Sequence, residues 1–462
     1  MTGVQTCALP ICEIKAAKPS IPVVMITKSE EESIMEEAIG SKISDYLIKP
    51  VNPNQILLSI KKNLENRKLI TEKTTSGYQA AFRNIGMTLS DRLSLEEWKD
   101  IYKKLVFWEL ELESGSEGVM EEILNTQKVE ANRYFSKFIT ENYLDWLGDY
   151  ADEAPVMSHN AFKQYVHPEL EKDQPLFLIL IDNLRYDQWK VIEPIINEDF
   201  HLDREEIYFS ILPTATQYAR NSFFAGLMPG DIQRLFPELW KNDEEEGGKN
   251  LHEEELLGHQ LKRLGSDVKY SYHKVTKHEF GRKLADNVSN LMTNDLNVIV
   301  YNFVDMLSHA RTDMEVIREL ADDDSAYRSL TLSWYEHSPL RDIMRAISEK
   351  GGRVVLTTDH GTIQVKDDVK VVGDRNTSTN LRYKHGRNLN YDQKEVFAIT
   401  KPEEAHLPKS NMSSSYIFAK EAQYFVYPNN YNHFMRFYRD TLQHGGISLE
   451  EMLIPMVFLS AK

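Results

Sequence analysis

The sequence predicts an α/β protein with a mostly parallel sheet covered by helices on both faces. Three observations predict it. Apolar runs rich in β-branched residues recur through the second half: "PLFLILID", "VKYSYHKV", "LNVIVYNFVD" and "GGRVVLTTD". Helical stretches such as "YDQWKVIEPIINE" and "EHSPLRDIMRAISEK" stand between them. The runs end at polar residues. Strands alternating with helices give parallel crossovers on both faces, and such sheets bind ligands beyond the carboxyl ends of their strands.

The 462 residues exceed one ordinary core, so two to four domains are expected. A composition of 41% hydrophobic and 27% charged residues fits a globular chain. No apolar run reaches the roughly 18–20 residues of a membrane helix, and the start lacks the pattern of a secretory signal. The two cysteines, Cys7 and Cys12, leave the fold without a disulfide framework, so a reducing cytoplasm is the expected location. A net charge of −17 argues against a broad nucleic-acid face but leaves room for a local phosphate pocket and for cation ligands.

Four regions are expected in order. Residues 1–12, "MTGVQTCALPIC", fit nothing that follows and read as a non-native leader. In 13–66, "IPVVMITKS" reads as a buried strand and "EEESIMEEAIGSK" as an acidic helix. The stretch "ISDYLIKPVNPNQILLSIKKNLENR" adds a strand, a proline turn and a helix. This unit resembles the C-terminal half of a response-regulator receiver domain. The resemblance assigns the phosphate-sensing roles to Thr27 and to Lys49 with Pro50. No strand-borne phospho-accepting aspartate precedes Ile21, so the receiver is expected to be truncated and deaf to a phosphodonor. Residues 67–170 space their aromatic and aliphatic side chains at helical intervals and predict a helical bundle with those stripes as its core. The acidic runs "NDEEEGGK" and "LADDD" read as solvated loops. Residues 171–462 hold the sheet.

The chemistry is written at the strand ends. "LFLILIDNLRYD" delivers Asp182 and Arg185, "VIVYNFVDMLSHAR" delivers Asp305 and His309, and "VVLTTDHG" delivers Asp359 and His360. One such aspartate is usually a helix cap; several strands all ending in Asp, His or Thr point to metal ligands, since Zn²⁺ takes imidazole nitrogen and carboxylate oxygen. The four-residue gap from Asp305 to His309 places both on one helix face. Near the C-terminus His444 precedes two glycines, which permit close backbone approach. His385, in "RYKHGR", is its rival as the last ligand and otherwise a contact for substrate phosphate.

In "LPTATQYARNSFFAGLMP", Thr214 and Thr216 sit where a strand gives way to a helix. A threonine there can cap the helix, and the same place binds anions and can present a nucleophile.

Together these motifs resemble the alkaline phosphatase superfamily, and within it the PglZ branch. The threonine segment is similar to the nucleophile segment of the superfamily's nucleotide phosphodiesterases. The resemblance implies an alkaline-phosphatase-like fold, Thr216 as nucleophile and two Zn²⁺ ions. It places the first ion on Asp182, Thr216, Asp359 and His360, and the second on Asp305, His309 and His444. Thr214 would then be a cap or a supporting partner, and Arg185, Asn221 and His385 would contact substrate. The implied activity is hydrolysis of nucleotide or oligonucleotide phosphodiesters. A partial receiver, a helical spacer and such a domain resemble response regulators linked to type IX secretion. That implies a sensor kinase, a sigma factor and a secretion-motor protein as partners, and a homodimer formed through the last receiver helix. The alternatives are an adaptor with a structural metal site and a phosphomonoesterase.

Overall fold

The computed structural model describes residues 21–27, 44–51, 53–113, 118–148, 153–172, 174–243, 245–314, 323–374, 377–409 and 413–462. The predicted leader and the acidic helix of "EEESIMEEAIGSK" lie outside them. Two compact units are present: Met1–Ser90 with Phe107–Asn125, and Asp91–Val106 with Thr126–Lys462.

In the first unit, β1 (Val24–Thr27) and β2 (Asp45–Ile48) pair in parallel with Thr27 opposite Ile48. Thr27 and Lys49 thus stand at the same end of neighbouring strands. Helix α1 (Pro53–Leu89) starts on a proline, whose missing N–H costs nothing at a helix start. It runs uninterrupted through residues 66 and 67, where the sequence suggests a domain boundary.

Helix α2 (Leu95–Glu113) opens on a capping box, with Glu97 accepting from the Ser94 amide at 2.8 Å. Helix α3 (Gly118–Leu147) follows. Their aromatic stripe is buried core: Trp98 and Phe135 meet edge to face at 5.3 Å. Its partners extend beyond a helical bundle. Trp146 packs on Phe209 of the sheet at 5.9 Å, and Asn132 donates to Glu450 at 3.0 Å.

The second unit then alternates: β3 (Leu176–Ile181), α4 (Tyr186–Asp199), β4 (Phe200–Phe209), α5 (Thr216–Ala225), α6 (Glu253–Arg263), β5 (Tyr270–Val275), α7 (His278–Asp286), β6 (Leu296–Tyr301), α8 (Phe303–Asp313), α9 (Asp324–His337), α10 (Pro339–Glu349) and β7 (Arg353–Thr357). A small antiparallel sheet of β8 (Tyr383–Gly386), β9 (Val396–Ile399) and β10 (Ser415–Ala419) intervenes before the last strand, β11 (Leu453–Ala461). The main sheet has the order β4-β11-β7-β3-β6-β5. Strand β11 runs antiparallel to both neighbours, and the β7-β3-β6-β5 pairings are parallel.

All six residues of β3 and of β6 are buried, as strands with helices on both faces require. Each fully buried Leu, Ile or Val there contributes about 1.5–3 kcal/mol. Register places the site: Ile181 pairs with Tyr301 and Leu180 with Thr357. The three chains therefore leave the sheet side by side, carrying Asp182, Asp305 and Asp359.

Candidate metal and hydrolase site

Asp182 follows β3 directly, with its amide donating to the Tyr301 carbonyl at 2.8 Å. Asn183 comes next in a left-handed conformation (φ 64°), which asparagine tolerates. Its amide donates to Asp359 Oδ1 at 3.2 Å and its side chain to Ser308 Oγ at 3.1 Å. One turn residue thus ties the ends of β3 and β7 to α8.

Thr216 is the first residue of α5, and Ala215 is the N-cap with no side-chain bond. The helix start is therefore left uncapped, with its positive end at the Thr216 hydroxyl. That hydroxyl lies 3.0 Å from His360 Nε2 and 3.3 Å from Asp182 Oδ1. His360 Nδ1 lies 3.0 Å from the Gly361 carbonyl and must donate there, so Nε2 offers a lone pair toward Thr216. The Thr214 hydroxyl does not cap the helix. It donates to the Gly446 carbonyl at 2.9 Å and accepts from the Gly445 amide at 3.0 Å.

The loop glycines fit by close approach. A Cβ on Gly361 would stand 2.0 Å from the Glu450 carbonyl oxygen. Gly445, at φ 123°, packs against Tyr383. This holds His444 with Nε2 3.8 Å from Asp305 Oδ1 and its ring stacked on His360 at 4.3 Å. His309 Nε2 lies 3.5 Å from the same Asp305 oxygen.

Two groups result. Asp182, Asp359 and His360 offer ligand atoms within 4.8 Å of one another, and so do Asp305, His309 and His444. The first group is fully buried. Burial, then the Asp182 carboxylate, push Asp359 well above the ordinary carboxylate value. Its Oδ2 has no hydrogen-bond partner. Burial also raises Asp182, but Arg220 and then His360 outweigh it and hold that carboxyl below its usual value. Burial and then Asp182 raise Asp305. Burial and then the neighbouring His360 push His444 down to about 4, which keeps its ring neutral. A buried cluster of carboxylates with an orphaned oxygen, facing neutral imidazoles, fits divalent cations.

Arg220 lies within the threonine segment with no role assigned to it there, yet it is the fixed cation of the site. Fully buried, it donates to Asp182 at 2.6 Å and to Glu253 at 2.5 Å. Its position four residues after Thr216 on α5 was the available signal. Glu451 was also unmarked. It accepts from the Gly446 amide at 2.9 Å and pairs with the buried Arg382 at 2.6 Å, clamping the His444 loop. Its signal is the Ser448-x-x-Glu451 capping pattern.

The three residues assigned to substrate each have partners within the chain. Arg185 is buried, donating to Asp187 and, at 2.7 Å, to Asp324. Asn221 donates to the Lys249 carbonyl at 3.2 Å and accepts from Asn250 at 3.0 Å. His385 is stacked on Tyr416 at 4.2 Å, in β8. Of the acidic runs, Glu245 and Glu246 are exposed, while two aspartates are tied into the fold. Asp243 accepts from Tyr218 and Tyr383, and Asp323 caps α9 by accepting from the Ala326 amide at 2.7 Å. A carboxylate with a buried partner gains more than one left in water.

A six-stranded, mostly parallel sheet with its polar groups at the strand ends and a hydroxyl at a helix start defines an alkaline-phosphatase-like α/β domain. Residues 161–459 match the family described as the BREX system PglZ alkaline phosphatase-like domain, and the chain belongs to that family. Residues 68–147 match the PorX response regulator linker domain. The transcriptional regulatory protein ZraR of Klebsiella oxytoca is 33% identical over 86 residues, 19% of this chain and 18% of that protein's length. Among solved structures, phosphonoacetate hydrolase from Sinorhizobium meliloti matches with a TM-score of 0.40 and 11% identity, over 62% of this chain and 89% of that one. Murine ectonucleotide pyrophosphatase/phosphodiesterase 5 matches with a TM-score of 0.38 and 11% identity, over 62% and 88%. Among the described residues, no helix is long and apolar enough to cross a membrane.

Proposed function

We propose that this chain is a zinc-dependent phosphodiesterase that cleaves nucleotide or oligonucleotide phosphodiesters through Thr216, within a response regulator. One observation carries the reading. Six Asp and His residues from three strand ends and a late loop gather in two groups, the first of them against a hydroxyl at an uncapped helix start and the second stacked beside it through His444 and His360. A structural metal site has no need of that hydroxyl.

Asp182, Asp359 and His360 would hold one ion, together with Thr216, and Asp305, His309 and His444 the other. Zn²⁺ held there would supply positive charge to lower the pKa of the threonine hydroxyl and to offset charge on the leaving oxygen. The chain supplies the rest. The start of α5 receives the phosphate anion. Thr216 Oγ attacks phosphorus, forming a Thr–O–P bond as the bond to the leaving alkoxide breaks. The hydroxyl proton passes to solvent, and water later hydrolyses the phosphothreonine. Arg220 keeps Asp182 ionised and in place. The linker match supports a response-regulator setting, with a sensor kinase as one partner.

The test combines elemental analysis with turnover of bis(p-nitrophenyl) phosphate against p-nitrophenyl phosphate, in the wild-type chain and in Thr216→Ala. Two zinc ions per chain, faster diester cleavage and an inactive, metal-loaded variant are expected. Fewer than one zinc in a folded, metal-replete sample, or an active Thr216→Ala, overturns the reading.

A further inference from the structure

A cavity of about 500 Å³ opens beyond the carboxyl ends of β5 and β6, on the far side of α8 from the two ligand groups. Phe303, Met306 and Leu307 line it. Their i, i+3, i+4 spacing puts them on one face of α8, while Asp305 and His309 occupy another. The cavity is therefore separate from the metal groups, though the helix between them is shared.

Its chemistry is two-sided. Phe303 and Trp334 lie flat against each other, centroids 4.6 Å apart with an interplanar angle of 3°, as an aromatic wall. Lys277, His278 and His337 form an exposed basic rim, in a chain whose net charge is −17. Two helices begin at the same cavity: α7, whose N-cap is Lys277, and α10, whose N-cap is Ser338. Neither is capped by a side chain, because the Ser338 hydroxyl turns back to the Tyr335 carbonyl. Between these starts lies the Tyr301 hydroxyl. It is buried and without a hydrogen-bond partner, and a Cβ on Gly281 would come within 2.9 Å of it. Buried polar atoms left unpaired are few in folded proteins.

From this we propose that the cavity is a second ligand site, for a nucleoside monophosphate. The base stacks on the Phe303–Trp334 wall. The phosphate meets the basic rim and the two uncapped helix starts. A volume of 500 Å³ falls within the ordinary range for small-ligand pockets, and every base offers a π-face to an aromatic wall. Nucleotide is chosen over other aromatic anions because the proposed phosphodiesterase would release it, and only that choice rests on the functional reading.

The experiment is binding of AMP to the full chain after zinc removal with EDTA, followed by tryptophan fluorescence and calorimetry. Adenosine and inorganic phosphate are run as separate probes. Saturable AMP binding is expected, weakened roughly tenfold or more by Trp334→Ala and several-fold by Lys277→Glu, and unchanged in Thr216→Ala. Adenosine and phosphate should each bind more weakly than AMP. Circular dichroism confirms that each variant is folded. No saturable AMP binding to the folded wild type overturns the proposal. So does binding that Trp334→Ala and Lys277→Glu leave untouched. Because zinc is absent, the outcome is independent of whether the chain hydrolyses diesters.

Discussion

His444 Nδ1 lies 3.0 Å from the Thr214 carbonyl oxygen, a contact between residues 230 apart in the chain. The ring must donate there, which leaves Nε2 as the lone pair facing Asp305. The threonine two residues before the proposed nucleophile thus orients a proposed ligand of the second ion. Its own hydroxyl bonds Gly445 and Gly446, fixing the loop that carries the ring. Partners of this kind set ligand tautomer and direction.

Thr214→Ala keeps the carbonyl but removes both hydroxyl bonds from a buried site. It should cost about 1–3 kcal/mol of stability, as buried groups left unpaired do. It should also weaken zinc at the Asp305, His309 and His444 group by roughly 10–100-fold. Thr216→Ala should do the opposite, losing turnover while keeping both ions. Zinc titrations of the two variants, read with diester turnover, check this. Equal metal loss in both would refute the division of labour.

Arg220→Met leaves Asp182, Asp359 and Glu253 buried without their shared cation. Breaking a buried pair by removing one partner costs about 3–5 kcal/mol. The loss should be largest in EDTA and shrink as zinc is added, because a cation on Asp182 and Asp359 supplies the missing charge. Saturating zinc stabilises by about 2.7 kcal/mol at a hundredfold excess over its Kd. Urea unfolding across a zinc series measures the effect. A zinc-independent loss would show that Arg220 serves packing alone.

The parallel strands were legible because a strand buried on both faces must be apolar throughout, as "LFLILI" and "LNVIVY" are. The proposed ligands were legible because Asp and His at the ends of such strands have few structural reasons to recur. Residues 361 to 443 were harder to read. Strands such as Tyr383–Gly386 and Val396–Ile399 are only four residues long, too short for a period to rise above chance. Arg220 was hidden differently. An arginine on a helix ordinarily lies at the surface, and only the fold brings Asp182, from 38 residues earlier, against it. Arg185 is alike in this, since its partner Asp324 is 139 residues away.

Gly361 follows His360 at a place where a side chain cannot fit. An alanine Cβ would stand 2.0 Å from the Glu450 backbone oxygen, which is not a group that can rotate aside. Gly361→Ala should therefore displace the turn, cost about 3 kcal/mol or more, and separate His360 from Thr216. The expected result is a lower thermal midpoint together with loss of the first ion. An alanine variant that keeps wild-type stability and two ions would show that the turn has room to move.

Lys384 gives the clearest pH signature. Its ammonium is buried in β8, donates to the Ser378 carbonyl at 3.0 Å, and lies 4.7 Å from the Tyr427 ring centroid. Burial pushes its pKa down from 10.5 to about 7. The sign follows from proton counts. Between pH 7 and 10.5 the unfolded chain holds a proton that the native chain lacks, so stability rises with pH across that window. Below about pH 7 both states are protonated and the destabilisation is complete. Lys384→Met should therefore stabilise most at and below pH 7, by on the order of 5 kcal/mol before the lost Ser378 bond is counted. The gain should fade toward pH 10. Urea midpoints of wild type and variant at pH 6, 7, 8.5 and 9.5 give the comparison. A gain that is the same at pH 7 and pH 9.5 would mean that the buried amine keeps its proton in the native chain.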